Sequence, residues 1–148
     1  TKFYVPDKGG MERDLSDTVI SCSYFTGGGM DGGSMSMRIF LNESNEVWFE
    51  YYNQSFNGAE EESASYRIDN TAIEQIRQKC SEYGVLGWGE LELSELQLLD
   101  APITSVSFAY GDNEYYSVRS DYDLPEQGYG FFSAFYKILE QYKTQGGN

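Results

Sequence analysis

Ser34-Met35-Ser36-Met37-Arg38-Ile39-Phe40-Leu41 alternates without a break. Successive side chains of an extended chain point to opposite faces. Met35, Met37, Ile39 and Leu41 therefore share one face, and Ser34, Ser36, Arg38 and Phe40 share the other. Asn42-Glu43-Ser44-Asn45 reads as a turn, since these side chains bond their own backbone there. Val47-Trp48-Phe49-Glu50-Tyr51-Tyr52 resumes as a strand rich in the aromatic residues that strands favour.

The same period runs outward from this pair. Upstream, Val19 and Ile20 lead into Cys22 and Tyr24 at every second position, with Ser21 and Ser23 between, which reads as a strand over 18–25. A glycine-dense connector at 27–33 separates it from the next strand. Downstream, a polar stretch over 53–62 precedes a fourth strand over 63–68. Strands joined by short turns imply an antiparallel meander.

The period then changes to that of a helix. Over 71–83, Ala72, Ile73, Ile76, Cys80 and Tyr83 recur at i, i+3/i+4 spacing, with Asp69 or Asn70 available as a cap and Gly84 as a stop. Residues 85–100 mix strand and helix spacing and read as a loop with a short helix near Ser94. Two strands follow, over 103–110 and 114–120, around the hairpin signal Gly111-Asp112-Asn113. A closing helix spans about 131–142 with Phe131, Phe135, Ile138, Leu139 and Tyr142 along one stripe. The expectation is an α+β domain of order ββββ-α-ββ-α. Its antiparallel sheet of about six strands carries both helices on one face, because each helix has a single apolar stripe to cover. Residues 1–16 read as a flexible tail or linker, 17–143 as the domain and 144–148 as a disordered tail.

Composition narrows the function classes. The chain has 148 residues, enough for one domain with a real core. Ten Lys and Arg against 24 Asp and Glu give a formal net charge of −14, which repels phosphate backbones and argues against nucleic acid and anionic lipid as partners. The absence of His removes the commonest acid–base group near neutral pH and the commonest transition-metal ligand. Cys22 and Cys80 are too few for a disulfide framework; they can pair, react or fill the core as small apolar groups. No apolar run is long enough to span a bilayer as a helix. A lean toward Tyr, Ser, Gly and Asn points outward, to an extracellular or surface-anchored setting, with the cytoplasm left open.

Chemical motifs are sparse. The 27–33 glycines lack the Lys-Ser/Thr of a phosphate loop and open a strand rather than a helix. Glu60-Glu61-Glu62 and the acids between Asp112 and Asp123 lack the spacing of a calcium loop. No nucleophile elbow is present, and neither Cys has a His to activate it. Asn42-Glu43-Ser44 and Asn53-Gln54-Ser55 match the glycosylation sequon, which matters only in a eukaryotic secretory pathway. The sequence calls for no cofactor and no metal.

The aromatics say more. Trp48, Glu50 and Tyr52 share the strand face opposite Val47, Phe49 and Tyr51. Helices on one side of a sheet leave the other side open, and exposed aromatic patches mark interaction sites. Trp48, Glu50, Tyr52 and Arg38 are therefore the candidate ligand-binding residues, with the 27–33 loop as a mobile rim. The competing reading is that these rings complete the core or pair across strands.

Three features carry a resemblance: the two strands around Gly27-Gly28-Gly29, the helix ending Tyr83-Gly84-Val85 with Trp88 soon after, and Leu99-Asp100 followed by a hairpin through Gly111-Asp112, Pro125 and a last aromatic helix. The layout resembles small uncharacterised α+β domains of secreted proteins and lipoproteins of Gram-positive gut bacteria. The resemblance implies an extracellular or cell-surface chain, with a lipid anchor conceivable upstream of residue 1. It implies no catalytic residue. The expected function is non-enzymatic binding of a protein, peptide or glycan. A carboxylate-based hydrolase and a domain that self-associates through its aromatic face are the alternatives.

Overall fold

The strands pair as their alternation requires. The computed structural model describes residues 4–6, 12–28, 32–54, 61–94, 102–111 and 113–146. Strands β1 (Tyr4–Pro6) and β2 (Glu12–Asp14) form a two-stranded ribbon. A 3-10 turn at Leu15–Thr18 leads into β3 (Val19–Gly27), β4 (Ser34–Leu41), β5 (Val47–Gln54) and β6 (Glu61–Ile68). Helix α1 (Thr71–Tyr83), strands β7 (Ile103–Tyr110) and β8 (Glu114–Arg119), and helix α2 (Phe131–Gly146) complete the order. The main sheet has six antiparallel strands in the order β6-β5-β4-β3-β7-β8. Four strands form a meander; the segment containing α1 then returns the chain from the β6 edge to the far side of β3.

The inner face carries Cys22, Met37, Ile39, Val47, Phe49, Val106, Phe108, Tyr116 and Val118, all buried. Ala72, Ile73, Ile76 and Cys80 of α1, and Phe131, Phe135, Leu139 and Tyr142 of α2, are buried with them in one core. Phe131, Phe135, Phe108, Tyr83 and Trp88 interlock as tilted and edge-on rings at 4.9–6.3 Å. Such contacts add to the area term of burial. Both cysteines are fully buried and in no disulfide, and burial holds the Cys22 thiol well above its ordinary pKa.

Several expectations change. The Val19/Ser21 step is a bulge in the pairing with β7, so Val19 rather than Ile20 enters the core and Ile20 is exposed. An extra residue shifts the side-chain parity of everything before it. Arg77 of α1 donates from Nε to the Val19 carbonyl at 2.8 Å, satisfying an acceptor at the bulge. The helix cap falls to Asp69, whose Oδ1 accepts from Thr71 N–H at 2.8 Å, while Asn70 makes no side-chain cap bond. Gly84 ends α1 in the left-handed conformation, φ 63°, as its position implied. The stretch expected as a tail contains β1, β2 and Leu15 packed on the core, and α2 runs on to Gly146. Near the short helix expected around Ser94, Leu93 instead bridges Tyr122; residues 95–100 lie outside the described residues. On the β7–β8 hairpin, Tyr110 and Tyr116 are inner-face core residues and Tyr115 is exposed.

Candidate functional site

Neither helix covers the second face, and its residues follow from register. One row across it reads Arg67, Trp48, Phe40, Ser21, Ala109, Tyr115. The next reads Ser65, Glu50, Arg38, Ser23, Ser107, Ser117, and the third Ser63, Tyr52, Ser36, Phe25, Ser105, Arg119. Two aromatic-bearing rows thus flank a polar one. Tyr52 is 38% exposed, Phe25 43% and Tyr115 69%, while Trp48 is half-buried among its neighbours.

The four expected residues come together. Arg38 and Glu50 are directly opposed on β4 and β5, with Nη1 and Oε1 3.4 Å apart. The Arg38 guanidinium also lies over the Phe40 ring at 4.3 Å, and its Nε donates to Ser21 Oγ at 3.5 Å. Packing on a ring and pairing with a carboxylate fix the planar fork in one orientation. An exposed pair of this kind adds little to stability, so its effect is to present two charged groups at set positions.

Tyr52 stands across β4 from Phe25, with only Ser36 between them in the row. A depression of about 360 Å³ opens here, lined among others by Phe25, Tyr52, Arg38, Glu50, Ser23 and Ser65. Phe25 is held back by glycine: a Cβ at Gly27 would meet Phe25 Cζ at 2.8 Å and Ser34 Cβ at 3.0 Å. Partial burial and then the Glu61 carboxylate beside it push the Tyr52 phenol up from its ordinary pKa.

Trp48 is placed by its flank. Its indole N–H donates to Glu46 Oε1 at 3.5 Å, and Asn42 Nδ2 donates to the same oxygen at 3.1 Å. Those donors, with Arg67 nearby, hold the Glu46 carboxyl below its usual range. Glu46 Oε2 also meets Arg67 Nη1 at 3.1 Å. On β8, Arg119 grips Asp121 through two bonds at 2.9 and 2.6 Å. Each arginine in the three rows is therefore paired with a carboxylate.

The 27–33 loop enters the site through Gly27, where β3 ends; residues 29–31 lie outside the described residues. Gly27, Gly33, Ser34 and Met35 instead border a separate cavity of about 310 Å³ at that end of the sheet. Sequence reading missed Phe25, Phe40, Tyr115, Arg67 and Arg119. Their signal was present as alternation in each strand. The strand order that sets them side by side was not. Among the described residues no cluster of three or more acids or cysteines is arranged to hold a metal, and no helix is long and apolar enough to cross a membrane. No protein-family model matches the chain, and no curated protein matches it in sequence.

Proposed function

We propose that this chain is a non-enzymatic binding module that docks a protein partner on the open face of its six-stranded sheet. The observation carrying this reading is the make-up of the three open rows: Trp, Tyr, Phe, Ser and ion-paired Arg, with no Lys. Interfaces are enriched in Trp, Tyr, Phe and Arg and depleted in Lys, and Tyr and Ser together suit adaptable contact. Charge supports the same reading. In a chain of net charge −14 the rows hold one acid, Glu50, paired with Arg38, and their other two arginines are paired with Glu46 and Asp121 beside them, so the three rows with these partners are nearly neutral. Size agrees as well. Six strands about 4.8 Å apart and about eight residues long give roughly 700 Å², close to the roughly 800 Å² that each partner contributes to a standard interface.

An extracellular or cell-surface setting belongs to the proposal and rests on composition and on the resemblance in layout. The hydrolase alternative has no specific support: Glu46 and Asp69 both titrate below their usual range, the wrong direction for a protonated catalytic acid.

The test is a binding screen of the immobilised chain against arrays of surface and secreted proteins and of oligosaccharides. Trp48→Ala/Tyr52→Ala is run beside Gln78→Ala, an exposed α1 position. Protein hits lost with the double variant and kept by Gln78→Ala are expected. Hits that survive the double variant would refute the reading, and hits confined to oligosaccharides would replace the protein partner with a glycan.

A further inference from the structure

The two edge strands of the sheet have different surroundings. Past the end of β8, Leu93 bridges Tyr122, Ser94 N–H donates to the Asp121 carbonyl at 2.7 Å, and Asp123 N–H donates to the Glu92 carbonyl at 2.8 Å. Tyr116 Oη donates to the Gly89 carbonyl at 2.7 Å, so the 89–94 segment packs on the inner face and on the turn after β8, while β8 itself pairs only with β7 among the described residues. At the other edge, β6 pairs only with β5 among the described residues, and residues 61–65 and 67 are exposed.

An open edge strand presents unpaired N–H and C=O groups to any other chain, and proteins blunt such edges with Lys, Pro, bulges or short strands. Strand β6 has no Lys, Pro or bulge; its charges are Glu61 and Arg67 on the open face and Glu62 on the inner face, and charges on an edge also restrain indiscriminate pairing. It is eight residues long, Glu61-Glu62-Ser63-Ala64-Ser65-Tyr66-Arg67-Ile68, and its register with β5 is unbroken. Its open-face charges lie toward its two ends and are opposite in sign, Glu61 and Arg67, with small residues between.

We propose that β6 is a self-complementary edge, on which two copies of this chain pair antiparallel about Ala64 and join their sheets into one. That register sets Glu61 opposite the partner's Arg67 and Arg67 opposite the partner's Glu61. Ser63 faces the partner's Ser65, and Ala64 faces its own copy. Each pair shares a face, because in every case the residues stand an even number of positions apart, as continuous pleating requires. Opposite charges directly across strands stabilise the pairing. A parallel arrangement sets Glu61 beside Glu61 and Arg67 beside Arg67. Moving the twofold centre to Ser63 or Ser65 loses both ion pairs. Arg67 Nη1 already meets Glu46, yet the side chain is 58% exposed and has further donors. The net charge of each copy opposes association, so the dimer is a reversible one. It leaves the open faces uncovered and side by side, and it shares with the docking surface only the β6 ends of the three rows, Ser63, Ser65 and Arg67.

The experiment is analytical ultracentrifugation of the full chain from micromolar to submillimolar concentration. A reversible dimer is expected. Glu61→Arg and Arg67→Glu each weaken it roughly tenfold by placing like charges opposite. The double variant Glu61→Arg/Arg67→Glu returns it toward wild type, and Ala64→Lys, which sets two ammonium groups at the twofold axis, weakens it. Far-UV circular dichroism checks that each variant is folded. A monomer at every concentration would overturn the proposal. So would a dimer indifferent to both reversals but lost with Tyr52→Ala, or a double variant no tighter than the singles.

Discussion

Two surfaces of one sheet are built from the same strands, one residue out of step. On β5, Val47 and Phe49 are fully buried beneath the helices, while their neighbours Trp48, Glu50 and Tyr52 line the open side. The inner residues touch apolar groups of α1 and α2. The outer ones engage charged neighbours, Trp48 the Glu46 carboxylate and Glu50 the Arg38 guanidinium. Alternation alone therefore separates the residues that hold the fold from those available for recognition, and a substitution one position along the chain changes which property is lost.

The largest expected contrast is between Phe49→Ala and Tyr52→Ala. Emptying the space of a fully buried ring costs about 3–5 kcal/mol, read as a fall in the urea midpoint. Tyr52→Ala moves the midpoint by a small fraction of that. Equal losses would erase the distinction between the two surfaces.

The inner surface also depends on a polar contact. Arg77→Ala leaves the Val19 carbonyl at the bulge without its guanidinium donor. An unpaired acceptor in a buried setting costs about 1–3 kcal/mol. Arg77→Lys restores only part of this, because its single ammonium cannot reproduce the Nε bond together with the pair to Glu74 at 3.1 Å. Calorimetry of the two variants ranks them.

Gly27→Ala sharpens the comparison from the other side. The added methyl displaces the end of the Phe25 ring, at a cost of about 1 kcal/mol, the lower end for overpacking. The rearranged ring alters the depression shared with Tyr52 while the core stays as it was. Near-UV circular dichroism detects the ring movement, and an unchanged spectrum counts against it.

The smallest effect appears in alkali. Burial pushes the Tyr116 phenol up to about 12. The bond to Glu140, followed by burial, does the same for Tyr136. Unfolded phenols titrate near 10. Between about pH 10 and 12 the folded chain keeps protons that the unfolded chain has released. This contribution to stability is full below about pH 10 and falls as the pH rises. Tyr116→Phe flattens the fall, measured by urea melts across that range.

Most of the fold is legible in the sequence, because strand and helix periods are local. Met35 to Leu41 and Ala72 to Cys80 declare their inward faces unaided. The bulge is not legible: nothing in Val19-Ile20-Ser21-Cys22 says that one residue is extra, and only the pairing with β7 decides it. The site divides in the same way. Arg38, Trp48, Glu50 and Tyr52 lie on strands joined by one short turn, so their neighbourhood follows from a single hairpin. Phe25 reaches Tyr52 only through two registers taken together, and Tyr115 joins the surface only once β7 and β8 are seen to add beyond β3. Long-range order carries no local signal.

Hydroxyl-radical footprinting of the unliganded chain tests the two-surface account most directly. Phe25, Tyr52 and Tyr115 are expected to label quickly, and Phe49, Phe108 and Phe135 slowly. Labelling of Phe25 and Tyr52 as slow as that of Phe49 would mean that something covers the outer surface, and the proposed docking face would go with it.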